Sequence, residues 1–126
     1  MDPASGFVQN ANNTPFLAAG PGSEMDPSAY SPYLGIELGM TNRGLRATEL
    51  LAADTSITPD ELLAIKMDMT YSKQSWVGAW MASFAALDLK DAPELAKAQK
   101  LLAGWDWTSD GKGSADAFAE RIIRFG

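Results

Sequence analysis

A mostly helical fold is predicted by this sequence, with about five helices that follow a short N-terminal strand and a long loop. In residues 42–126, apolar side chains recur at three- and four-residue steps between capping and turn residues, as is typical of amphipathic helices. Residues 1–41 are instead rich in Gly, Pro, Ser and Asn, which interrupt regular structure. The sequence therefore divides into a strand end with a long ordered loop, residues 1–41, and a helical segment, residues 42–126.

The short strand is predicted at Phe7–Gln9, where an apolar run ends in the sequence Asn-Ala-Asn-Asn-Thr-Pro. Asparagine is unfavourable in both helices and strands. Asn10, Asn12 and Asn13 therefore either cap a turn or hold their side-chain amides rigidly at a site. A rigid, neutral N–H donor is suited to stabilising a negatively charged oxygen. The residues by themselves leave both interpretations open.

The segment from Thr14 to Thr41 is predicted to be a long ordered loop. Its prolines and glycines prevent a regular element, and loops of this length in compact domains are usually functional or disordered. It carries too many apolar side chains for plain disorder. These are Phe16, Leu17, Tyr30, Tyr33, Leu34 and Ile36.

Five helices are predicted after the loop, at about residues 42–53, 59–71, 72–87, 91–103 and 114–124. Asn42 is the expected N-cap of the first helix. The second begins with Thr-Pro-Asp-Glu at residues 58–61, which predicts a capping box with proline at the first helical position. The third carries a mostly aromatic stripe of Trp76, Trp80, Phe84 and Leu87. Because this stripe has helical spacing, core packing is favoured over an acyl-binding pocket.

Composition excludes several classes of function. The chain of 126 residues has no cysteine and no histidine, which removes thiolate chemistry, His-based metal sites and the commonest general base. Its net charge of −6 argues against nucleic acid and anionic membrane surfaces as partners. No apolar run approaches the roughly 20 residues that span a bilayer, and the N-terminus does not resemble a signal peptide. No metal site is assigned, since the acidic residues lack a recognisable ligand spacing.

Three segments resemble the penicillin acylase family of N-terminal nucleophile hydrolases. Residues 6–15, Gly-Phe-Val-Gln-Asn-Ala-Asn-Asn-Thr-Pro, are similar to the oxyanion-hole segment of the family's β subunit. Residues 42–51 resemble the arginine-bearing helix that follows it, and residues 101–106 resemble a leucine-rich helix that ends in Trp-Asp. The resemblance implies that the chain is an internal fragment of a β subunit whose parent has an α+β, four-layer αββα fold.

The resemblance also implies roles for individual residues. Asn12 matches the asparagine whose side-chain amide forms half of the oxyanion hole, and Arg43 matches the arginine that supports it. Phe16, Tyr30 and Tyr33 lie in the region expected to contact substrate.

The implied reaction is amide cleavage through an acyl-enzyme, with an N-terminal serine as nucleophile and its own α-amine as base. Substrate classes in the family are β-lactam side-chain amides, N-acyl homoserine lactones and lipopeptide acyl groups. No such serine is expected in this chain, so the partners implied are the α subunit and the rest of the β subunit, and the isolated chain is expected to be inactive. No cofactor is expected, although the parent enzyme can hold a structural calcium. The family implies a periplasmic or secreted location.

Two other classes of function stay open on the sequence. One is a helical binding or scaffold module without chemistry, in which the asparagines only cap a turn. The other is a free-standing small hydrolase that uses Ser5 or Asp2 together with Asn12, which the absence of histidine makes less favourable.

Overall fold

The computed structural model of the chain describes residues 2–125. In this range it is mostly helical, which confirms the predicted fold class. Five α-helices are present among the described residues: α1, Asn42–Ala52; α2, Pro59–Met67; α3, Trp76–Ala85; α4, Pro93–Ala103; and α5, Gly113–Phe125. None of these helices combines the length and apolarity needed to cross a membrane.

The chain forms two compact units, one ending at Asp68 and the other beginning at Met69. We call them the N-terminal unit and the C-terminal unit. The N-terminal unit contains the long loop together with α1 and α2, whereas the change in composition lies earlier, at residue 41. The predicted division into residues 1–41 and 42–126 therefore stays a prediction.

The strand expected at Phe7–Gln9 is not formed, and the range 2–125 contains no β-ladder. The only paired extended residues described there form an isolated bridge between Thr70 and Thr108. The Gln9 backbone N–H donates to the Ala18 carbonyl at 2.9 Å. Since this bond closes a loop and does not join a neighbouring strand, the apolar run at Phe7 has no ladder partner.

The long loop is ordered by three short 3₁₀ helices, Pro15–Leu17, Pro27–Ala29 and Pro32–Leu34. Each begins with proline and has an N-cap residue whose side-chain oxygen accepts a backbone N–H of the turn. The three N-cap residues are Thr14, Asp26 and Ser31. Proline fixes its own φ and the cap satisfies an orphan donor, so each turn is specified locally.

Helix α1 begins one residue earlier than its expected cap implies. Thr41, and not Asn42, is the N-cap, because its hydroxyl accepts the backbone N–H of Gly44 at 3.0 Å. The capping box of α2 is formed as predicted, between Thr58 and Glu61. The Arg46 guanidinium on α1 donates two parallel hydrogen bonds to the Asp68 carboxylate, at 2.9 and 3.2 Å. The bonds to Asp68 raise the pKa of Arg46 and fasten α1 to the segment that follows α2.

Helices α2 and α3 are shorter than predicted. Helix α2 ends at Met67 because the backbone is already extended at Asp68. Helix α3 starts at Trp76, since the preceding residues form a turn in which the Ser75 hydroxyl donates to the Ser72 carbonyl at 2.6 Å. Local serine bonds of this kind compete with helical hydrogen bonds.

The core of the C-terminal unit lies between α3, α4 and α5. Its buried members are Val77, Leu102, Trp105 and Ala119. Part of the predicted aromatic stripe of α3 packs against them, with Trp80 stacked on Phe84 at 5.2 Å between ring centroids. Trp76 is 54% exposed and Val77 is 1% exposed. The buried face of α3 is therefore centred on Val77 and not on the predicted aromatic stripe.

A single glutamine side chain caps the C-terminus of α3. Gln99 on α4 donates from Nε2 to the carbonyl oxygens of Phe84, Ala85 and Leu87 at 2.8, 3.2 and 3.2 Å. The last carbonyls of a helix have no partner within the helix and carry partial negative charge. Gln99 therefore connects two helices of the C-terminal unit through groups that need a donor.

We expect Gln99→Glu to lower the free energy of unfolding by about 2 kcal/mol, since it removes the donor and adds a negative charge at the negative end of α3. Thermal unfolding followed by circular dichroism measures the change. Gln74→Glu is the charge-matched control, because this exposed residue precedes the positive end of α3, and it should leave the stability within about 0.5 kcal/mol. Equal stability of the two variants would contradict the capping role.

Candidate active site

The three asparagines form a tight turn, in which Asn10 and Asn13 make local hydrogen bonds. The Asn12 backbone N–H donates to Asn10 Oδ1 at 2.9 Å, and the Ala11 N–H donates to Asn13 Oδ1, also at 2.9 Å. Asn13 Nδ2 in turn donates to the Thr14 carbonyl at 2.9 Å. The side chains of Asn10 and Asn13 thus bind backbone groups of the turn. This is the turn-capping role that the sequence left open as one of two interpretations.

Asn12 differs from its neighbours because its side chain holds no backbone group. It adopts a left-handed conformation with φ of 58°, which asparagine tolerates better than most residues. Arg43 Nη2 donates to Asn12 Oδ1 at 2.8 Å. A guanidinium has no acceptor, so the atom that faces it must be the amide oxygen and not the amide nitrogen.

This contact fixes the direction of the Asn12 amide. Among residues 2–125, no group accepts a hydrogen bond from Asn12 Nδ2, and the side chain lies at the surface. The two N–H groups of Nδ2 are therefore free to bind an external acceptor. The family resemblance implies that Asn12 and Arg43 belong to one site, and the two side chains are in contact although 31 positions separate them in the chain.

The N-terminus of α1 is held against the asparagine turn by its cap. The Thr41 hydroxyl donates to the Ala11 carbonyl at 3.0 Å, and the Thr14 N–H donates to the Gly39 carbonyl at 3.1 Å. These bonds position Arg43, in the first turn of α1, beside Asn12. Thr41 was not singled out from the sequence, where Asn42 offered an equally good cap.

Gln9, just before the asparagine turn, packs against α1. It is buried, with 9% of its surface exposed, and its Nε2 donates to Thr48 Oγ1 on α1 at 3.4 Å. Its Oε1 is buried and has no partner within the described chain. The residue therefore packs against the helix and does not reach the surface where Asn12 lies.

The electrostatic environment of Asn12 Nδ2 favours an anion. The N-terminus of α1 carries partial positive charge, and Arg43 adds a full positive charge. Arg43 forms no ion pair with the part of the chain that is described, so this charge is not cancelled locally. An amide N–H, a cation and a helix N-terminus together stabilise negative charge on a bound oxygen.

The three residues expected to contact substrate do not form one group. Phe16 is buried with 3% exposure, and its ring centroid lies 5.4 Å from that of Tyr30. Both rings line a cavity of about 470 Å³ in the N-terminal unit. Tyr33 is 98% exposed and does not line this cavity.

The sequence candidate Ser5 and the acidic residue Asp26 are both engaged in local structure. The Ser5 hydroxyl contacts the carbonyl oxygens of Phe7 and Ala19, which does not favour Ser5 as a nucleophile. Asp26 caps the second 3₁₀ helix, and its hydrogen bonds to the Ser28 hydroxyl and N–H lower its pKa. Residues 2–125 hold no cluster of three or more Asp, Glu, Cys or His side chains placed to bind a metal ion.

The comparison with protein families decides the assignment. A family model described as penicillin amidase matches residues 1–124. The chain belongs to the penicillin amidase family. Searches of curated proteins and of solved structures returned no match to this chain.

Membership makes the chain part of a family of hydrolases that act on amides. The mostly helical architecture described above is consistent with this membership. Within this penicillin amidase chain, Gly44 is a further residue of the candidate site, and its sequence context did not predict this. A Cβ added at Gly44 would lie 2.9 Å from Asn13 Oδ1 and 3.1 Å from Asn13 Cβ. The glycine thus allows α1 to approach the asparagine turn closely.

We expect Gly44→Ala to displace Asn13 and weaken its bond from the Ala11 N–H. Stability should change little, because alanine gains about 1 kcal/mol of helix propensity over glycine. Hydrogen exchange of the Ala11 amide should become faster by about tenfold, the factor that corresponds to losing one hydrogen bond. Gly39→Ala is the control, since nothing lies within 4 Å of a Cβ at that position. Unchanged exchange at Ala11 in Gly44→Ala would refute this packing role.

Proposed function

We propose that this chain supplies the oxyanion hole of a penicillin amidase-like acylase that cleaves amides through an acyl-enzyme. The observation that carries the proposal is the contact between Arg43 Nη2 and Asn12 Oδ1 at 2.8 Å, which leaves the two N–H groups of Nδ2 pointing away from the guanidinium. In the proposed reaction, these N–H groups donate to the carbonyl oxygen as it becomes negative. Arg43 is the positioning residue, because it orients the amide.

The nucleophile is proposed to come from another part of the acylase. An N-terminal serine, with its α-amine as base, attacks the substrate carbonyl carbon, and the α-amine takes the serine proton. The C–N bond then breaks and the amine leaves with that proton. Water hydrolyses the acyl-enzyme to the free acid. In this scheme the α subunit and the remainder of the β subunit are the protein partners, and the location is periplasmic or secreted.

The experiment that tests this proposal is an amide hydrolysis assay on the complete acylase precursor. The p-nitroanilides of phenylacetic and octanoic acids serve as substrates, and mass measurement of the processed chains identifies the terminal serine. Hydrolysis that depends on Asn12 supports the proposal, with the expected magnitude given in the Discussion. Processing and hydrolysis that are both unaffected when the Asn12 amide is removed would overturn it.

A scaffold module without chemistry is the second candidate. It is favoured by the local bonds of Asn10 and Asn13, which cap the turn as a purely structural role requires. The two candidates differ at Asn12, because a scaffold needs only the left-handed backbone there, whereas an acylase needs the amide.

A further inference from the structure

The Thr41 side chain makes one hydrogen bond more than a helix cap requires. Capping α1 needs only an acceptor, and the hydroxyl oxygen accepts the Gly44 N–H at 3.0 Å. The hydroxyl proton is donated to the Ala11 carbonyl at 3.0 Å, 30 residues earlier in the chain. We propose that Thr41 is a positioning residue for amide cleavage, because this second bond sets the direction in which the Asn12 side chain leaves the backbone. The effect on turnover rests on the proposed function, whereas the effect on the conformation of Asn12 is tested without it.

The second bond acts on the peptide group that joins Ala11 to Asn12. The oxygen of this group accepts from Thr41, and its N–H donates to Asn10 Oδ1 at 2.9 Å. The peptide group is planar, and its plane is held from both sides. Since φ of Asn12 relates this plane to the substituents of the Asn12 Cα, the fixed plane and the φ of 58° together determine the direction of the Asn12 Cβ.

The left-handed backbone of Asn12 needs this support. A positive φ is less favourable than a negative φ for any residue with a Cβ, even for asparagine. Rotating the peptide group between Ala11 and Asn12 would return Asn12 to a negative φ and would break the bond from Thr41. The free energy of one hydrogen bond is comparable with the cost of a left-handed residue. Removing the Thr41 bond therefore shifts the balance towards the rotated peptide.

The first turn of α1 holds Asn12 at two points. Thr41, the N-cap, holds the peptide group before Asn12, and Arg43, two residues later, donates to Asn12 Oδ1 at 2.8 Å. The backbone and the amide oxygen of Asn12 are thus fixed by the same helical turn, and Nδ2 is directed away from it. A donor that is oriented before the reaction needs no reorganisation when negative charge develops on the substrate oxygen.

Thr41 is itself held in place beside the turn. The Thr14 N–H donates to the carbonyl of Gly39, two residues before Thr41, at 3.1 Å, and Thr14 is completely buried. Thr41 and Ala11 are half-buried, whereas Asn12 is exposed. Water therefore competes less for the bond between Thr41 and Ala11 than for the Asn12 side chain. The contact can act as a fixed support for an exposed donor.

The test compares Thr41→Val with Thr58→Val in the complete acylase. Both threonines are N-caps of helices in the N-terminal unit, so both variants should lose similar thermal stability. Only Thr41→Val also loses a bond to the asparagine turn. We expect it to lower kcat by about tenfold, the factor that corresponds to one hydrogen bond, with little change in KM, while Thr58→Val keeps the wild-type kcat. Wild-type kcat in Thr41→Val, or an equal loss in Thr58→Val, would overturn the proposal.

Two further variants separate positioning from a general effect on the fold. Thr41→Ser restores the hydroxyl and should recover most of the kcat that Thr41→Val loses. Combined with Asn12→Gly, Thr41→Val should lower kcat no further, because the side chain that Thr41 orients is gone. A further loss of about tenfold in that background would show that Thr41 does not act through Asn12, and it would overturn the positioning role.

The conformation of Asn12 is measured on the chain by NMR, without substrate. The nuclear Overhauser effect between the amide proton and the Hα of one residue is strongest when φ is positive, because the two protons are then closest. We expect a strong effect at Asn12 in the wild type and in Thr58→Val, and a clearly weaker one in Thr41→Val. An unchanged effect in Thr41→Val would contradict the role of the Ala11 bond.

The two measurements distinguish failure of this inference from failure of the proposed function. If Asn12→Gly loses turnover while Thr41→Val does not, the acylase proposal stands and the positioning role is overturned. If Asn12→Gly keeps wild-type turnover while the Overhauser effect at Asn12 weakens in Thr41→Val, the proposed function fails and the role of Thr41 in holding Asn12 is supported.

Discussion

Asn12→Gly is expected to lower kcat of the complete acylase by about 10²–10³-fold, the usual effect of removing one oxyanion-hole donor. The lost group is the pair of N–H donors on Nδ2, which the Arg43 contact at 2.8 Å directs away from the protein. Because the donor acts on charge that develops in the transition state, kcat should fall far more than KM changes.

Glycine is the informative replacement because Asn12 has φ of 58°. Alanine would remove the amide and also strain the backbone, at a cost of roughly 1–2 kcal/mol for a residue with a Cβ in the left-handed region. Glycine adopts that conformation freely. Asn12→Gly and Asn12→Ala should therefore lose similar activity, while only Asn12→Ala also loses stability.

The two candidate functions make opposite predictions for this pair of variants. If the asparagine only shapes a turn, Asn12→Gly should match the wild type in both turnover and thermal stability. Initial rates on p-nitroanilide substrates and unfolding by circular dichroism measure the two quantities. Wild-type turnover in Asn12→Gly would exclude the oxyanion role of this residue.

Arg43 should act through Asn12. Arg43→Ala removes the donor that orients the amide oxygen, so its effect on kcat should be largely absent once the Asn12 amide is gone. The double variant with Asn12→Gly should accordingly be no slower than Asn12→Gly alone by more than a few-fold, as expected for residues that act as a unit. Fully additive losses would show that Arg43 acts on the substrate by itself.

Gly78→Ala is expected to be the most destabilising small substitution in the C-terminal unit, costing about 3 kcal/mol or more. Gly78 is the third residue of α3, where the preceding turn folds over the helix. A Cβ at this position would lie 1.9 Å from the Lys73 carbonyl oxygen and 2.6 Å from its carbonyl carbon. These are backbone atoms, so the clash cannot be relieved by rotating a side chain.

We expect Gly78→Ala to lower the stability of the whole C-terminal unit, because Val77, the neighbour of Gly78, is buried in its core. Tryptophan fluorescence reports this unit specifically, since all four tryptophans of the chain lie between Trp76 and Trp107. A loss of about 3 kcal/mol corresponds to a decrease in Tm of roughly 10 °C or more.

Gly104→Ala is the matched control within the same unit. A Cβ at Gly104 would meet only the Leu101 carbonyl oxygen, at 3.5 Å, which is an ordinary contact. Its Tm should stay close to that of the wild type. If Gly78→Ala were no less stable than Gly104→Ala, the close approach of the Lys73 backbone to α3 would be wrong.

The sequence by itself determined the elements whose signals are local. The capping box of Thr58 and Glu61 starts α2 where it was predicted, because its two hydrogen bonds join residues three apart. The mostly helical class and the number of helices follow from the same kind of pattern. The asparagine turn was likewise visible as a motif, along with the pairing of Asn12 and Arg43 that the family resemblance implies.

Only the tertiary structure decided which way the asparagine amides point. Asn10, Asn12 and Asn13 have the same side chain, yet two of them bind local backbone and the third accepts from a guanidinium 31 residues away. It also decided that Thr41 and not Asn42 caps α1, since the Thr41 hydroxyl donates to the Ala11 carbonyl 30 residues away. The reason is physical: a capping or helical pattern is satisfied within a few residues, whereas the direction of a side chain depends on which distant groups chain folding brings within hydrogen-bonding distance.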